Sequence, residues 1–119
     1  MLPSEQGEAA WRRRPPSRRF VVLRCVGGPS RIRVRGELDL SDAPELGRLL
    51  DAERAAGHDL VVDLREMTFI DSSGLAVLVW AAQSAAASGR GLRLVAPPPP
   101  VMRTFYVTGL HELLPFTDE

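Results

Sequence analysis

The stretch FIDSSGLAVL, residues 69–78, decides the fold because it places polar groups between two apolar runs. Before it, DLVVDL at residues 59–64 is a short apolar run of the kind found in buried central strands. After it, the alanine-rich LAVLVWAAQSAAAS at residues 75–88 predicts a helix that ends at Gly89. The serine pair is therefore expected between a strand and a helix, a position that α/β folds use for function.

The segment before the central strand predicts a hairpin followed by a helix. FVVLRCV (20–26) and RIRVRGELDL (31–40) are predicted strands, and the second alternates apolar and charged residues. The turn GGPS between them predicts an antiparallel pair at a sheet edge. SDAPELGRLLDAERAAG (41–57) has the pattern of a helix, with Asp42 as a candidate N-cap and a glycine at its end.

The C-terminal part repeats the alternation of strand and helix. GLRLVA (91–96) predicts an interior strand, PPPP (97–100) an extended break, VMRTFYVTG (101–109) a short helix and LLPF (113–116) a last short strand. The order is β-β-α-β-α-β-α-β. Strands that alternate with helices predict an α/β fold with a mixed, mostly parallel sheet of about five strands.

Length and composition indicate one ordinary globular domain preceded by a tail. The chain has 119 residues, 45% of them hydrophobic and 25% charged, with a formal net charge of zero. Residues 1–19 lack periodicity and are rich in Arg and Pro, so we expect a disordered tail, with the domain at 20–119. The Arg cluster could touch nucleic acid or an acidic partner, or it could be a solvated extension.

Several classes of protein are disfavoured by what the sequence lacks. No apolar run is long enough for a signal peptide or a membrane span, so we expect a cytoplasmic protein without a membrane or nucleic-acid partner. Cys25 is single and is expected to be a small buried hydrophobe. There is no lysine for a P-loop and no His or Cys pair with metal-ligand spacing, so no cofactor or metal is expected.

The two serines, Ser72 and Ser73, have three possible roles. One can cap the helix by accepting a backbone N–H, and we expect one of the two serines to do so. One can be a catalytic nucleophile, but His58 and His111 are both expected to lie far from the pair, which disfavours an enzyme. One can accept a phosphate, which the positive end of a helix dipole tolerates.

Three segments resemble those of one known family. GELDLSDAPEL (36–46) is similar to its second strand and first helix, LVVDLREMTFIDSSGLAVLV (60–79) to its central strand and phosphorylation motif, and VMRTFYVTGLHELLPF (101–116) to its C-terminal helix and strand. On these segments the chain resembles the STAS domain and, within it, the bacterial anti-sigma-factor antagonists. The resemblance covers roughly residues 20 to 119.

The resemblance implies a phosphorylation switch without catalytic activity. In the family, an anti-sigma factor that is itself an ATP-binding serine kinase phosphorylates the second serine of the pair, which is Ser73 here. The unphosphorylated form binds the anti-sigma factor and frees a sigma factor; the phosphorylated form does not bind, and a PP2C-type phosphatase restores it. Asp39 matches an aspartate in the facing loop, and Asp71 matches the acidic residue before the serines. With Ser72 and Gly74, these aspartates are expected to shape the docking surface.

The helix after the motif offers further candidates. Leu75, Leu78 and Val79 are expected in the core. Val77 and Trp80 then point to another side, where an exposed pair would suit a partner interface, although Trp80 could equally pack in the core or under the tail. The rival functions are a STAS subunit or scaffold without a switch, for example of a lipid-transport ATPase complex, an enzyme, and a small-molecule sensor.

Overall fold

The computed structural model describes residues 19–119, which contain one five-stranded sheet. Its strands are β1 (Phe20–Arg24), β2 (Ser30–Leu38), β3 (Leu60–Ile70), β4 (Leu92–Val95) and β5 (Phe116–Thr117). They lie side by side in chain order. β1 and β2 are antiparallel, whereas β2–β3, β3–β4 and β4–β5 are parallel. The predicted α/β class, the edge hairpin and the mostly parallel sheet of five strands are all confirmed.

Helices connect the parallel strands. They are α1 (Ala43–Ala55), α2 (Ser72–Ser88) and α3 (Pro99–Thr108), and a 3₁₀ turn at Leu110–Glu112 leads into β5. α2 ends as predicted at Gly89, which has a left-handed φ of 69° that favours glycine. Within residues 19–119, no helix is both long enough and apolar enough to cross a bilayer.

One hydrophobic core lies between the sheet and the helices. Ile32 and Leu38 of β2 are completely buried in it, with Leu78 of α2 and Phe105 of α3. Phe105 packs edge-on against Phe116 of β5, with ring centroids 5.1 Å apart. Burying each such side chain contributes about 1.5–3 kcal/mol, so this core holds α2 and α3 on the sheet.

The central strand is longer than its sequence predicts. The prediction placed it at residues 59–64, but β3 continues to Ile70 and pairs with β2 as far as Leu38. Arg65 and Glu66 interrupt the apolar run, and two register shifts between β2 and β3 disturb the alternation of buried and exposed residues. Pairing with a strand that is distant in sequence therefore overrides the local pattern.

Smaller differences concern the ends of elements. Prolines open α3 instead of forming only an extended break, because the first turn of a helix needs no N–H donor from Pro99 or Pro100. The last strand lies at Phe116–Thr117, later than the predicted 113–116. Cys25 was expected to be buried but is exposed, because it follows the last residue of β1 and lies outside the sheet.

The predicted cap of α1 is also different. Asp42 occupies the N-cap position, but its side chain makes no capping hydrogen bond. Its carboxylate instead pairs with the guanidinium of Arg19, whose backbone carbonyl accepts a hydrogen bond from Arg35 N–H. Arg19 thus belongs with the domain, whereas the rest of the predicted tail, residues 1–18, lies outside the described residues.

Candidate functional site

The candidate site forms where the carboxyl ends of two parallel neighbours, β2 and β3, meet the start of α2. Asp71 follows β3 directly and its backbone is extended, with φ −109° and ψ −174°. Its Oδ1 accepts hydrogen bonds from the N–H groups of Ser73, at 2.9 Å, and Gly74, at 3.1 Å. Asp71 is therefore the N-cap of α2, and the expectation that one of the serines caps this helix is wrong.

The second oxygen of Asp71 fixes the loop after β2. Asp71 Oδ2 accepts a hydrogen bond from Leu40 N–H at 3.2 Å, and Asp71 N–H donates to the Leu38 carbonyl at 3.2 Å. In the same loop, Asp39 Oδ1 accepts from Ser41 N–H at 3.0 Å. The structure thus brings Asp39 and Asp71 together beside the serine pair, as the resemblance to the STAS domain implied. The oxygens of Asp71, however, are bound to backbone N–H groups.

The two serines differ in exposure. Ser72 is exposed at the first position of α2, and Ser73 is half-buried at the second. Within residues 19–119, no side chain or backbone group hydrogen-bonds to either hydroxyl. Because Asp71 does the capping, both hydroxyl groups remain available for chemistry.

Close packing explains why residue 74 is a glycine. It is buried, and a Cβ at this position would lie 2.7 Å from Ile70 Cγ1 and 2.9 Å from both Leu38 Cγ and the Leu38 carbonyl oxygen. Such distances are shorter than van der Waals contact, so α2 can approach the strand ends only with glycine here. Packing therefore explains the glycine, whereas its expected part in the docking surface stays a prediction.

The outer side of α2 carries an apolar groove of about 420 Å³. We call it the α2 groove; it opens at Ser72 and is lined by Leu75, Ala76, Val79, Trp80, Gln83 and Leu110. Trp80 is 59% exposed, so of the two alternatives for this residue the surface position is the observed one. Val77, in contrast, is half-buried and packs against the core, so it does not form an exposed pair with Trp80.

Two apolar residues, one beside Asp71 and one in the α2 groove, escaped the sequence analysis. Leu40 is 71% exposed in the loop next to Asp71, although it was assigned to the end of a strand. Leu110 belongs to the 3₁₀ turn and reaches the α2 groove from a distant part of the chain. In LDLSD (38–42), two aspartates and a serine stand close to Leu40, and such polar residues could have indicated a loop there. The sequence around Leu110, in contrast, contains no signal for its contact with α2.

Neither of the two histidines hydrogen-bonds to Ser72 or Ser73. His58 precedes β3, whose length of roughly 30 Å separates it from Ser73, which follows the other end of the strand. His111 Nδ1 lies 3.4 Å from the Phe105 carbonyl oxygen, and its ring packs against Tyr106. Among the residues from 19 onward, no three His, Cys, Asp or Glu side chains are grouped so that they could hold a metal ion.

The most perturbed carboxylate lies away from the serines and is structural. Glu53 of α1 is 3% exposed and accepts hydrogen bonds from Arg24 Nε at 3.1 Å and Ser30 Oγ at 2.6 Å. The bond from Arg24 is the main cause that lowers the pKa of Glu53 to about 2, against the opposing effect of burial. This cluster joins α1 to the turn end of the hairpin, where β1 ends at Arg24 and β2 begins at Ser30.

Comparisons with known proteins agree with this geometry. The sequence model of the family described as "Mlab, STAS domain" matches residues 21–115. The anti-sigma-B factor antagonist of Staphylococcus epidermidis is 32% identical over 84 residues, which are 70% of this chain and 78% of that protein. The crystal structure of an anti-sigma factor antagonist from Mycobacterium paratuberculosis has 30% identity and a TM-score of 0.74, covering 84% of this chain and 85% of the other.

A more distant protein shares the fold. SpoIIAA of Bacillus in its phosphorylated form is 20% identical with a TM-score of 0.65, covering 84% of this chain and 92% of that chain. The structure of the unphosphorylated SpoIIAA, an anti-sigma factor antagonist, gives 22% identity and a TM-score of 0.70, with 84% and 89% covered. On the family match and the relatives above 30% identity, this chain belongs to the STAS domain family, as its sequence resemblance implied.

Proposed function

We propose that the protein is an anti-sigma-factor antagonist that is switched by phosphorylation of Ser73. The unphosphorylated form binds an anti-sigma factor that is also a serine kinase, with ATP bound by that partner, and a sigma factor is thereby freed. A PP2C-type phosphatase returns the protein to its binding form. The family relatives named anti-sigma factor antagonists support the general role.

The observation that carries the proposal is that Asp71, and not Ser73, caps α2. No residue from 19 onward hydrogen-bonds to the Ser73 hydroxyl, so modification breaks no hydrogen bond within that part of the chain. The hydroxyl also lies at the start of a 17-residue helix, where the dipole favours added negative charge by about 0.3–1 kcal/mol. Phosphorylation can therefore occur without unfolding the domain. A solved form of the distant relative SpoIIAA is itself phosphorylated.

The charge of the phosphate explains how binding would stop. At pH 7 a phosphoserine adds about −1.5 to −2 charge. Asp71 is adjacent in the first turn, and Asp39 lies in the loop that Asp71 holds. A partner that had matched the neutral hydroxyl would have to desolvate this added charge without a cation to pair with it, which costs several kcal/mol. Since each 1.4 kcal/mol changes affinity tenfold, one phosphate is sufficient as a switch.

The protein itself has no catalytic part in this proposal. Its role is to present Ser73 and the neighbouring loop to the kinase. Asp39 contributes charge and loop shape, while Asp71 positions the helix start and loop rather than contacting the partner through free oxygens. The lack of a histidine hydrogen bond to either serine supports a substrate hydroxyl rather than a nucleophile.

The decisive experiment combines the purified full chain, ATP and the anti-sigma kinase encoded nearest to its gene. Intact mass and peptide mapping should find one phosphate on Ser73, and a sizing column should show that the complex is lost with it. Ser73→Ala should remain unmodified and bound, whereas Ser72→Ala, the matched control, should still acquire one phosphate, on Ser73. Phosphate on Ser72 instead, or a complex that persists after phosphorylation, would refute the assignment.

A second candidate is a subunit or scaffold that holds its partner whether or not phosphate is present. The match to the family described as Mlab and the exposed apolar surface at Trp80 favour it. In this case the same experiment gives a stable complex and no phosphate on either serine.

A further inference from the structure

Trp80 lies on the same stripe of α2 as Ser73. The two residues are about two helical turns apart, so they project within about 20° of one another and roughly 10 Å apart along the axis. Helical side chains lean toward the N-terminus, so the indole ring covers the turn before its own Cα, on the side of Ser73. Trp80 is thus the first large exposed apolar side chain that follows Ser73 along this helix.

The α2 groove beside Trp80 has a definite chemistry. None of its lining residues is charged, and Ser72 and Gln83 are its only polar ones. Such an uncharged surface contrasts with a chain in which 25% of the residues are charged. An occupant of this groove would therefore have to be apolar, since a charged group would lose its hydration without gaining a partner.

A stable interface is large enough to include both Ser73 and the α2 groove. A specific complex covers about 800 Å² on each partner, which corresponds to a patch with a radius of roughly 16 Å. A partner centred on Ser73 consequently reaches Trp80, which lies about 10 Å away on the same face. Tryptophan is among the residues that most often supply the binding energy of such patches.

We propose that the α2 groove receives an uncharged, apolar side chain of the anti-sigma factor kinase, and that Trp80 anchors it. The inference rests on the proposed function, because the partner is the one that modifies Ser73. It assigns separate roles to the two parts of the surface. The α2 groove provides binding affinity for the kinase, and phosphorylation of Ser73 switches that binding off. Trp80 should therefore affect how tightly the kinase binds and not the rate at which bound protein is phosphorylated.

The test measures affinity of the full chain for the anti-sigma kinase encoded nearest to its gene, by titration calorimetry without ATP. We expect Trp80→Ala to weaken binding at least tenfold. Ala76→Glu, which places a charge in the α2 groove, should do the same. In phosphorylation assays both variants should raise KM and leave kcat within about twofold of the wild type, as expected for lost uniform binding.

Tyr106→Ala is the matched control. Tyr106 of α3 is 58% exposed, close to the exposure of Trp80, but it lines a separate groove with Pro97 and Pro99. We expect its affinity to stay within threefold of the wild type. Circular dichroism checks that each variant is folded. If Trp80→Ala is unfolded, the affinity of Ala76→Glu tests the groove assignment instead.

The outcomes separate the two proposals. If Ser73→Asp abolishes binding while Trp80→Ala and Ala76→Glu both stay within threefold of the wild type, the groove assignment is overturned and the switch remains. If the wild-type chain is neither bound nor phosphorylated, the proposed function fails and this inference fails with it. Tenfold losses at both groove positions, with an unaffected Tyr106→Ala, establish the anchor.

Discussion

Asp71 and Leu40 are joined by a hydrogen bond of 3.2 Å from the Leu40 N–H to Asp71 Oδ2, while Oδ1 of the same carboxylate caps α2. One side chain therefore connects the loop that follows β2 with the helix that follows β3. Hydrogen bonds to an ionised carboxylate are stronger than those between neutral groups. The surface around Ser73 is thus held in shape before any partner arrives.

Removing this connection should destabilise the domain. For Asp71→Ala we expect the free energy of unfolding to fall by about 0.5–2 kcal/mol from the lost cap, with about 0.5–1.5 kcal/mol more from the lost bond to Leu40. Urea denaturation monitored by circular dichroism measures this loss of unfolding free energy. Ser72→Ala is the control, because the Ser72 hydroxyl is exposed and unbonded. Equal losses for the two variants would show that Asp71 does not cap α2.

Gly74 and Gly47 provide a matched pair of helical glycines with opposite expected effects. A methyl group at Gly74 meets Ile70 and the backbone of Leu38 at less than 3 Å, and such overpacking typically costs about 1–3 kcal/mol. At Gly47 of α1 a Cβ meets nothing within 4 Å, so Gly47→Ala should stabilise by about 0.5–1 kcal/mol through helix propensity. Thermal unfolding of both alanine variants checks the signs, and a Gly74→Ala protein as stable as the wild type would contradict the packing argument.

The sequence predicts the architecture well because most helices and strands have recognisable patterns and end signals of their own. Alternation in β2, the alanine-rich α2 and the glycines at 89 and 109 each indicate an element or its end by local chemistry. The position of the serine pair between a central strand and a helix follows from those elements. The placement of Asp39 beside Asp71, in contrast, was implied only by the resemblance to the STAS domain.

What the sequence could not provide depends on contacts between distant segments. Asp and Ser are about equally good N-caps, so the choice of Asp71 over a serine is made by where β3 ends, and β3 ends where its pairing with β2 ends at Leu38. Asp42 has the right position to cap α1 but pairs with Arg19, which lies beside it only in the folded chain. Leu110 joins the α2 groove for a similar reason.

The buried cluster around Glu53 should contribute strongly to stability. Glu53→Gln removes the charge that accepts from Arg24 and weakens the acceptor for buried Ser30, so we expect a loss of about 1–3 kcal/mol. Glu66→Gln is the control: Glu66 also pairs with an arginine, Arg33, at 2.9 Å, but both side chains are exposed and the loss should be clearly smaller. Urea denaturation at pH 7 compares them. A larger loss for Glu66→Gln would show that the buried cluster is not the stronger one.

The same cluster predicts how stability depends on pH. The pKa of Glu53 falls from an ordinary 4.5 to about 2 in the folded protein, chiefly because of the Arg24 hydrogen bond. Between these values the unfolded chain binds more protons than the folded one, so stability due to Glu53 rises with pH across that range. This contribution is complete above about pH 5, falls as the pH passes the unfolded value of 4.5, and is lost below about pH 2.

Glu53→Gln cannot titrate at this position, so the difference in unfolding free energy between wild type and variant isolates the effect. Measured by urea denaturation at a series of pH values from 7 down to 3, this difference should stay constant above about pH 5 and then shrink steadily. Asp63, whose pKa is also lowered, mainly by its hydrogen bond with Arg65, is present in both proteins and cancels in the comparison. A difference that remains the same down to pH 3 would mean that the charge of Glu53 does not stabilise the folded state.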